Sequence, residues 1–312
     1  MAPRKKKATV FHPRNIHQGK YDMTALVAAY PPLAAHIIKT IGEGQSINFF
    51  DSVAVQALNT ALLIKYYDIS QYSLPSGSLC PPIPGRAEYI HHLADVIYAG
   101  SVPTTKTSKS PRILDIGTGA NMIYPIIGIA SYGWLFVGSD ISTKALHHAQ
   151  GLIDDNQLAG VSLRHQPNKD LILTDIIGAD EYFEAVMCNP PYYSSAEEAK
   201  AATTRKNQNL GHSSTNHRNF GGADHELWTA GGELAFIKKM IVESSQLQTS
   251  CLWYTSLVSS KQNLIALEQA LTAVQAAKVQ VIPLQHGNKI SHVLCWTYLN
   301  DKGRQVWRQY RF

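Results

Sequence analysis

The run Ile113-Leu114-Asp115-Ile116-Gly117-Thr118-Gly119-Ala120-Asn121 decides the fold. An apolar strand leads directly into a glycine turn and from there into a helical stretch. Glycine serves at such a turn because the backbone must reverse tightly and lie close against a ligand. A lone Gly-x-Gly is weak, since a plain strand-to-helix turn carries it too, but two carboxylates strengthen it. Asp115 opens the turn, and Asp140 ends the next expected strand, where it can accept hydrogen bonds from both hydroxyls of a ribose. The third glycine that lets a pyrophosphate touch the helix N-terminus is missing, and Ala120 and Asn121 stand in its place. A cofactor without phosphates fits better, and Asp115 suits the ammonium and sulfonium charges of S-adenosylmethionine.

On either side of this run the chain changes style. Short apolar stretches alternate with helical ones after it, which predicts an α/β domain with a doubly wound, mostly parallel sheet. Strands are expected over 112–116, 134–139, 161–165, 185–188, 250–256, 279–283 and 293–298, and helices over 121–130, 143–157, 233–245 and 263–273. Before it, helices are expected from Asp22 to Tyr30, over 53–67 behind a cap at Asp51, and over 86–98. The chain thus divides into a flexible basic arm (1–20), a helical N-terminal module with a linker (21–110) and the α/β domain (111–312). Residues 196–232 are rich in Asn, His, Thr, Arg and Gly without clear periodicity, a length of irregular chain that usually serves function or motion.

A second motif, Asn189-Pro190-Pro191-Tyr192, follows the strand expected over 185–188. Consecutive prolines stiffen the chain and donate no hydrogen bonds, so nearby carbonyls are held as acceptors. That matters for a planar amino group, whose delocalised lone pair makes it a poor nucleophile. The Asn189 side-chain oxygen and the Pro190 carbonyl can bind its hydrogens and leave the lone pair facing a methyl donor, while Tyr192 offers a stacking face for an extruded base. Methyl transfer from a sulfonium requires alignment more than acid–base help, so the lack of an obvious general base is no objection. Arg86, ahead of a helix, can bind a cofactor carboxylate bidentately or be an ordinary surface residue.

With 312 residues and 45% hydrophobic side chains, the chain has ample material for a core, which excludes disorder as its main state. No apolar run approaches the ~20 residues of a membrane span, and the basic start lacks an apolar stretch behind it. A soluble, cytoplasmic protein is expected. Cys80, Cys188, Cys251 and Cys295 match no zinc or disulfide spacing, and His91-His92 has no third ligand nearby in sequence, so no metal is expected. The net charge is only +5, but Arg4, Lys5, Lys6 and Lys7 form a run near Arg14 and Lys20, with Arg304, Arg308 and Arg311 at the other end. Such clusters suit polyanions, because each neutralised phosphate releases counterions, although a charge run is also what a solvated tail looks like.

The two α/β-domain motifs together resemble the class I S-adenosylmethionine-dependent amino-methyltransferases. More narrowly, nearly the whole chain resembles the RlmF family of bacterial 23S rRNA adenine-N6 methyltransferases. The matching stretches are His12-Pro13-Arg14-Asn15, Pro81-Pro82-Ile83-Pro84-Gly85-Arg86, Tyr89-Ile90-His91-His92-Leu93-Ala94-Asp95, the two motifs, and Gly231-Gly232-Glu233 through Phe236-Ile237-Lys238-Lys239-Met240. The resemblance implies a Rossmann-like seven-stranded sheet ending in a reversed hairpin, with a helical module that helps hold RNA. It implies cofactor binding by Arg86, Asp115, Gly117, Gly119 and Asp140, and catalysis by Asn189, Pro190, Pro191 and Tyr192. Tyr192 departs from the Phe common in relatives, keeping the ring and adding a hydroxyl. The implied partner is 23S rRNA or a large-subunit assembly intermediate, gripped by Arg4, Lys5, Lys6, Lys7, Arg14, Arg205, Lys206, His217 and Arg218, and a monomer is the favoured state. Other acceptors remain open: a glutamine amide of a release factor, an adenine in DNA, or no acceptor at all in a binding factor without activity.

Overall fold

The computed structural model of the chain describes residues 11–40, 44–75, 78, 80–102, 109–201, 227–286 and 289–311. Asp22 and Asp51 cap the first helices through their side chains, accepting from the Ala25 amide at 3.0 Å and the Val53 amide at 2.9 Å. They open α1 (Met23–Ala29) and α2 (Ser52–Tyr66). Between these lie a 3-10 turn (Pro31–His36) and an antiparallel pair, β1 (Ile37–Lys39) and β2 (Gln45–Ile47), too short to show a period in sequence. Helix α3 (Ile83–Ile97) starts before the expected Arg86, because Pro82 and Pro84 fall at its cap and first turn, where a missing N–H removes no helical bond.

The remaining elements alternate as the sequence predicts: β3 (Arg112–Ile116), α4 (Ile123–Tyr132), β4 (Leu135–Asp140), α5 (Thr143–Asn156), β5 (Val161–His165), β6 (Phe183–Cys188), α6 (Gly232–Ser244), β7 (Cys251–Val258), α7 (Lys261–Ala273), β8 (Lys278–His286) and β9 (Lys289–Thr297), followed by a helix that the sequence does not predict, α8 (Asp301–Arg311). Seven strands form one sheet in the order β5-β4-β3-β6-β7-β9-β8. Only β9 runs against its neighbours. Strand β8 continues past Pro283, where the sequence suggests a stop. It lies at the sheet edge, and there a proline without an N–H is tolerated.

The sheet is packed on both faces. One buried cluster joins Leu62 of α2 and Tyr89 and Ile90 of α3 to Ile126 of α4, Trp134 and Leu252; the other gathers Leu114, Val186, Ile237, Met240, Leu267 and Trp296. The N-terminal helices therefore share a core with the sheet. The Tyr89 hydroxyl of α3 meets the Thr255 hydroxyl of β7 at 2.7 Å across that contact.

The arm expected over 1–20 is corrected from Phe11 onward. The buried Glu88 carboxylate accepts from the His12 amide at 2.8 Å and from the Asn15 side chain at 2.8 Å, and the buried His17 ring pairs with the Tyr67 hydroxyl at 2.7 Å. Three buried polar side chains of its own, His12, Asn15 and His17, hold this stretch against α3 and the end of α2, a pattern that composition does not reveal. The C-terminal basic cluster is corrected as well: it belongs to α8, where Arg304 is buried and paired with Asp301, and Arg311 reaches Glu184 at 3.1 Å.

One ion-pair node ties β3 to β5. Glu181 accepts from Arg164 at 2.6 Å and from Arg112 at 2.9 Å. Arg164 foremost, with the Gly178 amide and Arg112, holds its carboxyl down at about 2 against an ordinary 4.5. A depressed carboxyl contributes stability above its unfolded value and loses it as pH falls through the folded one. The urea midpoint of the native chain is expected to drop between pH 4.5 and 2, and Glu181→Gln to flatten that drop; equal slopes for the two chains would contradict the pairing.

Candidate active site

The sheet register places the site. Ile116 pairs with Ser139 on β4 and with Cys188 on β6, so the three strands end level, and Gly117, Asp140 and Asn189 come next at one edge. This is also where the strand order reverses, since β4 and β5 lie on one side of β3 and β6 and β7 on the other. A crevice opens outside the strand ends at such a point. Gly117 and Gly119 take φ of +71° and +64°, a region that other residues rarely enter. The amides of Gly117 and Thr118 donate to the Ser139 carbonyl at 2.8 and 3.0 Å. The Asp140 carboxylate accepts from the Gly119 amide at 3.0 Å and the Ser142 amide at 2.8 Å. A second carboxylate, placed one strand over, thus shapes the glycine turn.

The crevice is a cavity of about 640 Å³. Arg86, Gly117, Asp140, Asn189 and Pro191 line it, whereas Asp115, Gly119, Pro190 and Tyr192 are not among its lining residues. Asp115 is 1% exposed, neither of its oxygens completes a hydrogen bond, and its carboxyl is pushed up to about 7. Burial is the main cause; Asp140 pushes the same way, and the Thr118 hydroxyl and Arg86 pull against it. Arg86 comes from α3, is buried, and donates from Nη1 to the Tyr124 hydroxyl at 2.7 Å, while its Nε finds no acceptor. Unsatisfied buried charge of both signs around one cavity is a cost that a zwitterionic ligand removes.

The structure also brings residues that the sequence reading missed. Asp170, Leu171 and Ile172 line the cavity because the Glu243 carboxylate of α6 collects the amides of Ile172, Leu173 and Thr174 at 3.0, 2.7 and 3.0 Å. Lys239 of α6 and Trp228 line it too, the latter with a buried Nε1 lacking a partner. A glutamate at a core-facing position of an otherwise amphipathic helix is the signal that could have pointed to the first group.

The loop Asn189–Tyr193 is strapped from outside. The amides of Tyr192 and Tyr193 donate to the Leu227 carbonyl at 3.1 and 3.0 Å, and the Thr229 amide donates to the Tyr193 carbonyl at 3.0 Å. Gly232, at φ +64°, passes so near that a Cβ there would sit 3.3 Å from the Tyr192 carbonyl oxygen and the Ser194 nitrogen. That close approach calls for glycine at 232. Glu233 then accepts from the Ser259 amide at 2.6 Å. The Tyr192 side chain departs from the expected open stacking face. It is partly buried, and its hydroxyl donates to the Asn189 side-chain oxygen at 2.5 Å, a bond that Phe could not make.

Of the residues expected to grip RNA, Arg14 is engaged within the fold: it donates to Asp95 at 2.7 Å, to the His91 carbonyl at 3.0 Å and to the Tyr132 hydroxyl at 2.9 Å. Arg4, Lys5, Lys6, Lys7, Arg205, Lys206, His217 and Arg218 lie outside the described residues. His12, His92 and Asp95 converge near Arg14. His12 Nδ1 accepts from the Arg14 amide at 3.1 Å, which makes Nε2 the protonated nitrogen that faces Asp95 at 2.9 Å. The group is a polar clamp rather than a ligand set.

Residues 5–300 match a protein-family model described as RNA methyltransferase. Ribosomal RNA large subunit methyltransferase F of Enterobacter sp. (strain 638) is 46% identical over 299 residues, covering 94% of this chain and 96% of that protein. The protein of the same name from Salmonella newport (strain SL254) is 45% identical, covering 94% and 95%. Among solved structures, the hMettl16 catalytic domain in complex with MAT2A 3'UTR hairpin 1 is similar at TM-score 0.78 and 30% identity, over 93% of this chain and 96% of that one. The N-terminal domain of human METTL16 in complex with SAH is similar at TM-score 0.74 and 27% identity, over 93% and 99%.

Asp115 makes a prediction for the chain without ligand. A carboxyl raised above its unfolded value favours the folded state least when ionised, so stability is lost as pH rises from about 4 through about 7. Asp115→Asn is expected to raise unfolding free energy at pH 8 by up to about 4 kcal/mol and to leave it little changed at pH 4. Urea titrations at both pH values check this, and a variant equally affected at both would rule it out.

Proposed function

The chain belongs to the RNA methyltransferase family that includes ribosomal RNA large subunit methyltransferase F, and from that membership we propose that it methylates N6 of one adenine in 23S rRNA. It is an S-adenosylmethionine-dependent enzyme acting on RNA. The observation that carries the proposal is that the ladders of β3 with β4 and with β6 end level at Ile116, which sets Gly117, Asp140, Asn189 and Pro191 on one cavity.

The residues fit the cofactor. Arg86, buried with an idle Nε, would take its carboxylate; Asp115, buried and unpaired, would take its ammonium; Asp140, at the end of β4 and lining the cavity, would take the ribose hydroxyls. Gly117 and Gly119 let the backbone lie against it. When bound, S-adenosylmethionine supplies a methyl group on a sulfonium, whose neutral thioether is a good leaving group. The Asn189 side-chain oxygen and the Pro190 carbonyl would accept the two N6 hydrogens, with Pro191 stiffening the loop that holds them and the Tyr192 hydroxyl donating to the Asn189 oxygen. An amine held in this way would keep its lone pair free to face the methyl group.

The basic residues at 4–7 and at 205, 206 and 218 hold phosphates, with the helices of 21–110 as the RNA-binding module. The acceptor is free 23S rRNA or a large-subunit assembly intermediate, met by a monomer in the cytoplasm. No helix among the described residues is long and apolar enough to cross a membrane.

Labelled S-adenosylmethionine with unmodified 23S rRNA, and with DNA and a release factor as parallel acceptors, tests the assignment through nucleoside mass spectrometry. N6-methyladenosine from rRNA alone is expected; label only in DNA or in the release factor would overturn it. Asn189→Ala is expected to lower transfer by about 100-fold or more while cofactor affinity stays unchanged. A variant turning over at the native rate would remove Asn189 from the mechanism.

A further inference from the structure

Tyr192, the ring expected to stack on the target base, is turned to another task. Its hydroxyl donates to the Asn189 side-chain oxygen at 2.5 Å, and it is not among the residues that line the cavity. An adenine drawn out of RNA loses its stacking neighbours, and an aromatic face in the protein returns part of that energy. Among the described residues, three aromatic side chains line the cavity: Tyr124, Trp228 and Phe236. Tyr124 is buried and its hydroxyl is bonded to Arg86, while Phe236 packs against the core beneath α6. Trp228 is only half-buried.

The backbone fixes where Trp228 stands. It forms a parallel bridge with Tyr193. The carbonyl before it, that of Leu227, takes the amides of Tyr192 and Tyr193 at 3.1 and 3.0 Å, and the amide after it, that of Thr229, donates to the Tyr193 carbonyl at 3.0 Å. Peptide bonds on both sides of Trp228 are thus tied to the loop that carries Asn189 and Pro191, and all three residues line one cavity. The indole Nε1 is buried and lacks a partner, so any side-chain surface that Trp228 shows is carbon. Carbon surface suits the face of a base and not a hydrogen bond to one.

We propose that Trp228 is the stacking platform for the target adenine and that Tyr192 is a positioning residue, which acts by holding Asn189. This rests on the reading of Asn189 and Pro190 as the acceptors of the N6 hydrogens. The strap that carries the indole is bonded to the loop that carries those acceptors, so the platform and the acceptors keep one spacing. A base laid on the ring then presents its amine to Asn189 without a further adjustment of the loop. Stacking tolerates any base, because every base has a π-face. Trp228 therefore holds the extruded nucleotide, and the choice of an exocyclic amine falls to Asn189 and Pro190.

The full-length native, Trp228→Leu and Trp228→Phe chains test the platform. Leucine removes the ring and keeps apolar bulk, and phenylalanine restores a smaller ring. Single-turnover methyl transfer to unmodified 23S rRNA is measured for each, with the affinity for S-adenosylhomocysteine from calorimetry. Trp228→Leu is expected to lower transfer by about tenfold or more and Trp228→Phe to recover most of it, while both bind S-adenosylhomocysteine as the native chain does. Transfer by Trp228→Leu at the native rate, or no recovery with Trp228→Phe, overturns the platform. A loss of S-adenosylhomocysteine affinity that matches the loss of transfer overturns it as well, because the ring would then serve the cofactor or the fold. Tryptophan emission gives a direct readout of stacking. With S-adenosylhomocysteine bound, 23S rRNA should quench the native chain more than Trp228→Phe, and equal quenching counts against a base on the ring. A native chain that methylates no 23S rRNA would sink the reading of Asn189 and the platform together, whereas native transfer beside a silent Trp228→Leu sinks the platform alone.

Discussion

Ile116 stands between Ser139 and Cys188, and the level ending of three parallel strands that this pairing enforces governs everything built beyond them. A parallel sheet leaves peptide groups past its last rung without partners, and each has to be satisfied before a loop there can be rigid. The Ser139 carbonyl collects two amides of the glycine turn, and Asp140 collects a third. The crevice is therefore lined by backbone already held in position, so ligand binding does not have to order it. Preorganisation of this kind suits in-line transfer, where alignment is the chief demand on the protein.

A second device recurs around the cavity. Glu88 receives the His12 amide, Glu243 the amides of Ile172 to Thr174, and Glu233 the amide of Ser259, each from a buried or nearly buried helical position. A carboxylate accepts several N–H groups at once, so one side chain can anchor an irregular segment that no strand or helix could satisfy. The three glutamates fix the entry of the chain, the loop beside Asp170, and the start of α7. Each holds irregular backbone in place through its carboxylate.

The alternation of elements, their order and the two motifs at the strand ends were legible in the sequence because each depends on local pattern: apolar runs, glycine at the turn, proline after asparagine. What was not legible depends on distant partners. Residues 11–20 look like a tail because their anchors, Glu88, Asp95 and Tyr67, lie fifty or more positions away. Arg14, Arg304 and Arg311 look like an RNA-facing excess of charge until Asp95, Asp301 and Glu184 are found beside them. Helix α8 has too few apolar residues to announce itself, yet Trp307 seats it against the core. The extra hydroxyl of Tyr192 was visible, but its consequence was not, since the bond to Asn189 is set by the curl of the proline loop.

Helix α3 is gripped from both ends of the chain. The segment after Phe11 bonds to Glu88 and Asp95 in its middle, while Arg308 of α8 donates to the carbonyl of Ile97 at its end, at 3.1 Å. Between those grips the helix lies against β7 and shares a core that draws on residues from Met23 to Cys295. Segments almost three hundred residues apart in sequence must meet on one helix, so α3 gains its full set of partners only once α8 has been made, and the two segments are stabilised through one shared element rather than independently.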